Sequence, residues 1–151
     1  AYYLMCGGVI DLIEGFASRM VDKSSGRIVI ISSIGAISPM PKSSIYSSIK
    51  SGIYAYAKSI SAELRDKGVN VTVSLPGYVK TSAHKRAGLE HLESKVPSWM
   101  WIGPEKVVIE TEKASINGKS EIVPGMVYKI AKPFLKFNSA VNLWRKITKR
   151  G

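Results

Sequence analysis

A serine, a tyrosine and a lysine stand in a register that could move a proton: Ser33, Tyr46 and Lys50. Reducing a carbonyl needs a proton donor at the developing alkoxide, and the reverse reaction needs a base there. A free phenol, with a pKa of about 10, serves poorly near neutrality. A neighbouring ammonium favours the phenolate form. Tyr46 and Lys50 are four residues apart, a spacing that sets two side chains next to each other on a helix. Ser33 could give a hydrogen bond to the same substrate oxygen and hold it in place.

Spacing alone does not select this pair. The same interval separates Tyr54 from Lys58 and Tyr128 from Lys132, and such pairs commonly line the wet face of an amphipathic helix. Position separates them. Tyr54 lies deep in a long helical pattern, and Tyr128 lies in a basic tail. Tyr46 begins a helix shortly after an apolar run that ends in Ser32-Ser33. In parallel α/β sheets, sites form at the carboxyl ends of strands.

The elements that must position these residues are legible in outline. Leu4 to Met20 carries apolar residues at helical intervals. Asp22 to Gly26 reads as a turn. Ile28 to Ser33 is a short β-branched apolar run, as expected of a strand covered on both faces. Pro39 and Pro41 break the next loop. A helix then starts at Ser43 or Ser44, either of which could cap it. Its apolar stripe is Ile45, Ile49, Ile53, Tyr56, Ile60 and Leu64. Gly68 suits its end. Val69, Val71, Val73 and Leu75 alternate with polar residues, which reads as a second strand, and Pro76-Gly77 ends it. Residues 77–103 show no clear periodicity. Pro104 opens a further helix, Gly118 ends it, and Ser120 to Val123 reads as a third strand. Strands separated by helices imply a parallel α/β sheet with right-handed crossovers. Three strands are part of a doubly wound sheet and leave one apolar edge bare, so the chain is expected to sit in something larger.

Composition narrows the function classes. The chain has 151 residues and a net charge of +11. Its single cysteine, Cys6, rules out an internal disulfide and a cysteine-based metal site and fits a reducing compartment. The longest apolar stretches are too short to span a bilayer. The chain begins without Met, directly in periodic apolar sequence, as a truncated chain would. Seven basic residues and no acidic one lie between Met126 and Arg150. Such a tail could lie on an anionic membrane or be a solvated end. Aromatic residues are not regularly interleaved with basic ones, so nucleic acid is not an expected partner. His84 and His91 lack a third ligand, and no metal site is expected.

The run Gly26–Lys50 (GRIVIISSIGAISPMPKSSIYSSIK) resembles the short-chain dehydrogenase/reductase family. There a strand ends in Ser-Ser, a tyrosine follows the second serine by thirteen residues, and a lysine follows four later; Ser33, Tyr46 and Lys50 match. A family segment Pro-Gly-x-x-x-Thr is matched by Pro76-Gly77-Tyr78-Val79-Lys80-Thr81. Glu121–Gly125 and the tail look most like a broad bacterial and archaeal subgroup, and distantly like membrane-associated steroid and ketoacyl reductases.

The resemblance implies a Rossmann-like doubly wound fold, with residues 1–125 as the C-terminal half of a dinucleotide-binding domain and 126–151 as a basic helical tail. It implies hydride transfer between a carbonyl and a secondary alcohol, with NADP or NAD as cofactor and NADP favoured. Tyr46 would be the acid or base, Lys50 would favour the phenolate and bond the nicotinamide ribose, and Ser33 would position the substrate oxygen. Pro76, Gly77, Val79 and Thr81 would line the cofactor, and residues 82–103, with Trp99 and Trp101, the substrate lid. A small-molecule substrate, a homo-oligomer and a cytoplasmic or membrane-associated location follow. Two features depart from the family. No glycine-rich phosphate turn is present, and Met5 stands where many members carry a water-holding asparagine. A non-catalytic binding or dimerisation module and a basic membrane-surface protein are the alternatives.

Overall fold

The computed structural model describes residues 2–38, 41–82, 95–135 and 137–148. Three parallel strands, β1 (Gly26–Ile31), β2 (Val69–Ser74) and β5 (Glu121–Ile122), form a sheet ordered β1-β2-β5. β1 and β2 pair from Gly26 opposite Val69 to Ile31 opposite Ser74. A second, two-residue parallel pair joins β3 (Tyr78–Val79) to β4 (Trp101–Ile102). The helices are α1 (Gly8–Asp22), α2 (Ser44–Arg65), α3 (Pro104–Ile116), α4 (Met126–Ala131) and α5 (Asn138–Ile147). Parallel strands with flanking helices make this a Rossmann-like α/β fold.

α1 and α2 pack on the face of the sheet that carries Val69, Val71 and Val73. The buried stripe of α2 is Ile49, Ile53, Ala57, Ile60 and Leu64. Two expected members differ: Ile45 points outward and Tyr56 is only half-buried. Ala57 takes the inner position because the helix comes close to β2, where Ser61 donates to the Val71 carbonyl (2.9 Å). Ser43 occupies the N-cap position, yet its side chain makes no capping bond. α2 ends at Arg65, and Gly68 follows with φ +79°, packed so tightly on the Ser24 backbone that a Cβ would overlap it. That conformation and that approach both require glycine.

α3 covers the opposite face. β2, read as a strand of alternating apolar and polar residues, is the central strand, and its polar Thr72 and Ser74 are fully buried. Their hydroxyls are satisfied: Thr72 donates to the Lys119 carbonyl (2.6 Å), and Ser74 shares a hydrogen bond with Thr111 (2.8 Å). β1, read as covered on both faces, is covered on one. Its outer face carries Arg27, Val29 and Ile31. Arg27 reaches α3 through Glu112 (2.8 Å) and Ser115 (3.3 Å). Val29 and Ile31 stay 41% and 51% exposed, because α3 lies over β2 and reaches β1 only at its start. The apolar run signalled a strand with two apolar faces, and the described residues supply a cover for one.

α1 is preceded by one π-helical turn, Tyr3–Gly7, closed by Gly8 N–H on the Tyr3 carbonyl. Met5 lies in this turn, half-buried against the core. Residues beyond 125 join the same core through Tyr128 and Leu135. Among the described residues, no helix is long and apolar enough to cross a membrane.

Candidate active site

The parallel ladder of β1 and β2 runs on past both strand ends. Ser32 N–H donates to the Ser74 carbonyl (2.8 Å) and Ile34 N–H to the Pro76 carbonyl (2.9 Å). These two bonds carry Ser33 to the level of the Pro76-Gly77 turn, at the carboxyl end of the sheet. The chain then turns through one 3₁₀ turn, Ile34–Ala36, whose first N–H groups need an acceptor. Ser33 Oγ supplies it, accepting from Gly35 N–H at 3.1 Å. The Ser33 hydroxyl proton remains for another acceptor.

Gly35 joins this serine to the tyrosine. A Cβ on Gly35 would lie 3.4 Å from Ser33 Oγ and 3.5 Å from Tyr46 Cε1. The first turn of α2 therefore sets the Tyr46 ring against the end of β1. Tyr46 is 43% exposed, and its hydroxyl has no hydrogen-bond partner among the described residues.

Lys50 lies one turn further along α2. Its Nζ donates to the Ile31 carbonyl at 3.1 Å, while its own carbonyl accepts from Ser32 Oγ at 2.9 Å. Ser51 Oγ donates to the Ala36 carbonyl at 2.7 Å. Three bonds thus lock α2 to the β1 end. Burial pulls the Lys50 ammonium below the usual lysine range, and the negative potential of the nearby Cys6 opposes this only partly. The bond to Ile31 occupies one of its three protons.

The other two tyrosine–lysine pairs do different work. Tyr54 donates to Glu121 (2.6 Å), and Lys58 reaches Ser120 (3.2 Å), so both tie α2 to the start of β5. Tyr128 is fully buried. Its hydroxyl accepts from Tyr78 N–H (2.9 Å) and donates to the Met100 carbonyl (2.6 Å). Burial pushes its pKa well above the usual tyrosine value. Sequence reasoning missed this anchor, because nothing in the spacing of Tyr128 separates a buried ring from a surface one.

The predicted cofactor-side residues follow the turn. Pro76 is buried, while Gly77, Val79 and Thr81 are half-buried. Val79 pairs with Ile102, and Lys80 N–H donates to the Ile102 carbonyl (2.9 Å). Trp101 stacks at a tilt on Tyr78, with ring centres 5.5 Å apart, and Trp99 is exposed. His84, His91 and most of the expected lid lie outside the described residues. The structure thus puts a half-exposed phenol and a serine hydroxyl on either side of Gly35, an ammonium on the Ile31 carbonyl at the end of β1, and a proline–glycine turn level with Ile34.

Comparison with known proteins shows the family and the fold. The short chain dehydrogenase family model matches residues 2–91, more than half of the chain. A 3-oxoacyl-[acyl-carrier-protein] reductase of Synechocystis sp. is 24% identical over 123 residues, 82% of this chain and 50% of that protein. A short chain dehydrogenase from Burkholderia cenocepacia in complex with NADP superposes with a TM-score of 0.76 at 19% identity, covering 97% of this chain and 56% of that one. A short-chain dehydrogenase from Sphingobium yanoikuyae in complex with NADPH gives 0.74 at 21% identity, covering 87% and 50%. The chain spans about half the length of these relatives. It belongs to the short-chain dehydrogenase family.

Proposed function

We propose that the protein carrying this chain is an NAD(P)-dependent oxidoreductase that interconverts a carbonyl and a secondary alcohol, with Tyr46 as its general acid and base. The observation that carries this is Tyr46, half-exposed, its ring against Gly35 next to Ser33 at the carboxyl end of the sheet and its hydroxyl without a partner among the described residues. In reduction, Tyr46 Oη gives its proton to the oxygen as it becomes an alkoxide. Ser33 Oγ–H holds that oxygen. The Lys50 ammonium stabilises the phenolate left behind, and its lowered pKa makes it a ready source of the replacing proton.

The donors present fit the nicotinamide-ribose end of a dinucleotide. Lys50 has two protons unspent on Ile31, and the segment bearing Pro76, Gly77, Val79 and Thr81 leaves the sheet at the level of Ile34. When bound, the cofactor supplies or accepts the hydride. The two structural neighbours named above hold NADP and NADPH, which favours NADP over NAD here. The substrate class includes small-molecule ketones, and a 3-oxoacyl thioester is the first to try. The reading extends to a homo-oligomer in the cytoplasm. It is supported by exposed Leu4, Leu12 and Phe16 along the first helical stretch and by Cys6 as the single cysteine.

Tyr46→Phe in that protein should cut carbonyl reduction by about 10²–10⁴-fold while NADPH still binds. Turnover like that of the parent would overturn the assignment.

A non-catalytic binding or dimerisation module is the second reading. Met5 favours it, since its thioether packs on the core and offers no amide to hold a water. Titration with NADPH separates the two, because a non-catalytic module would not quench or shift on cofactor addition.

A further inference from the structure

We infer that the C-terminal segment lies on an anionic phospholipid surface through Met126, Ile130, Phe134 and Phe137. These four residues recur at steps of four, four and three, along α4, the 3₁₀ turn Lys132–Phe134 and the residue that leads into α5. They are 64, 63, 57 and 61% exposed. A loosely held helix does not account for this exposure. The inner face of the same stretch is anchored: Tyr128 and Leu135 are in the core, and Val127 and Ala131 pack against it. The segment therefore has two apolar faces, one used by the fold and one left open.

Charge indicates what covers the open face. Seven basic residues and no acidic one lie between Met126 and Arg150. Lys129 is neutralised by Glu110 (2.6 Å) and Lys132 by Glu121. The remaining five are Lys136, Arg145, Lys146, Lys149 and Arg150. Lys136 lies within the stripe, the other four follow it in sequence, and the tail has no acidic residue to balance them. An apolar stripe followed by cations is the pattern that seats a peptide segment at the headgroup boundary of an anionic bilayer. A second copy of the same face would bring like charges together, which opposes self-association there. Among the described residues, no helix is long and apolar enough to cross a membrane, so the contact this segment makes is at the surface. This inference does not depend on the catalytic reading.

The test is co-sedimentation of the protein with phosphatidylglycerol vesicles and with phosphatidylcholine vesicles, at low and high salt. The protein should pellet with phosphatidylglycerol, less with phosphatidylcholine, and less at high salt. Ile130→Ser/Phe134→Ser removes two exposed side chains without touching the core and should weaken binding by at least about tenfold. Ile109→Ser, on an exposed apolar residue of α3, should leave it unchanged. If the stripe variant folds poorly by circular dichroism, Lys146→Glu/Lys149→Glu gives the independent reading, again a loss of about tenfold. Equal binding to both lipids, or undiminished binding by both double variants, overturns the inference. So does a wild-type dimer that fails to bind vesicles and becomes monomeric in the stripe variant, since that assigns the face to a second copy.

Discussion

The Tyr128 ring lies against Cα of Gly77 so closely that a Cβ there would overlap it. Its hydroxyl holds the next residue, Tyr78, and the Met100 carbonyl at the same time. One side chain from α4 thus sets both the turn after β2 and the segment before β4. Gly77→Ala should destabilise the protein by about 1–3 kcal/mol through overpacking. The cost should shrink in a Tyr128→Ala background, because the two residues share one contact. Urea unfolding of the two single variants and the double variant measures this, and additive costs would show that the contact is not the cause.

Tyr128→Phe keeps the ring and removes only the two hydrogen bonds. It leaves a buried Met100 carbonyl and the Tyr78 N–H without their partner, a loss of about 1–3 kcal/mol. If the turn lines the cofactor, the same variant should raise the KM for NADPH more than it lowers kcat. A pure kcat effect would place Tyr128 in the chemistry instead.

Tyr46 and Tyr54 sit two helical turns apart and should respond oppositely. Tyr46→Phe removes a hydroxyl with no partner among the described residues, so stability should change by no more than about 0.5 kcal/mol while turnover collapses. Tyr54→Phe breaks the bond to Glu121, so stability should fall by about 1 kcal/mol while turnover persists. Thermal unfolding and a reduction assay on both variants decide this. Equal activity losses would remove the case for Tyr46 over its neighbour.

Lys50 ties stability to pH. Its ammonium is held below the usual lysine range by burial. A group lowered in the folded state contributes stability that is complete above its free value, about 10.4, and that is lost as pH falls through the lowered value. At neutral pH the protein therefore bears the burden of a partly buried charge, and raising the pH relieves it. Lys50→Met has no such burden. The stability difference should move in favour of the parent protein between about pH 7 and pH 10, read by urea unfolding at both. A constant difference would mean that the Lys50 charge is as well solvated folded as unfolded.

Much of this was legible because the signals were local. The strand before Ser33, which ends at Ile31 rather than at Ser33 itself, the helix start at Ser44 and the Pro76-Gly77 turn are each set by adjacent residues, and the structure brings Ser33 and Tyr46 together through Gly35. What sequence could not show was which strand lies in the middle. Thr72 and Ser74 look like solvent-facing residues until Lys119 and Thr111 are placed over them. Val29 and Ile31 look like core until the reach of α3 is known. Both misreadings come from neighbours distant in sequence. The β3–β4 pair escaped notice for the same reason, since two residues in each strand carry no period.

The buried pair Ser74–Thr111 tests that account of the central strand. Its two hydroxyls lie 2.8 Å apart and are both nearly inaccessible. Thr111→Val keeps the shape but strands the Ser74 hydroxyl in a dry site, at a cost of about 1–3 kcal/mol. Ser74→Ala alone strands Thr111 in the same way and leaves a small void. The double variant removes both polar groups together, so its cost should fall well below the sum of the two. A double-mutant cycle by urea unfolding gives the coupling directly. Strict additivity would mean that water reaches this face of β2, and that α3 does not seal the sheet as its packing implies.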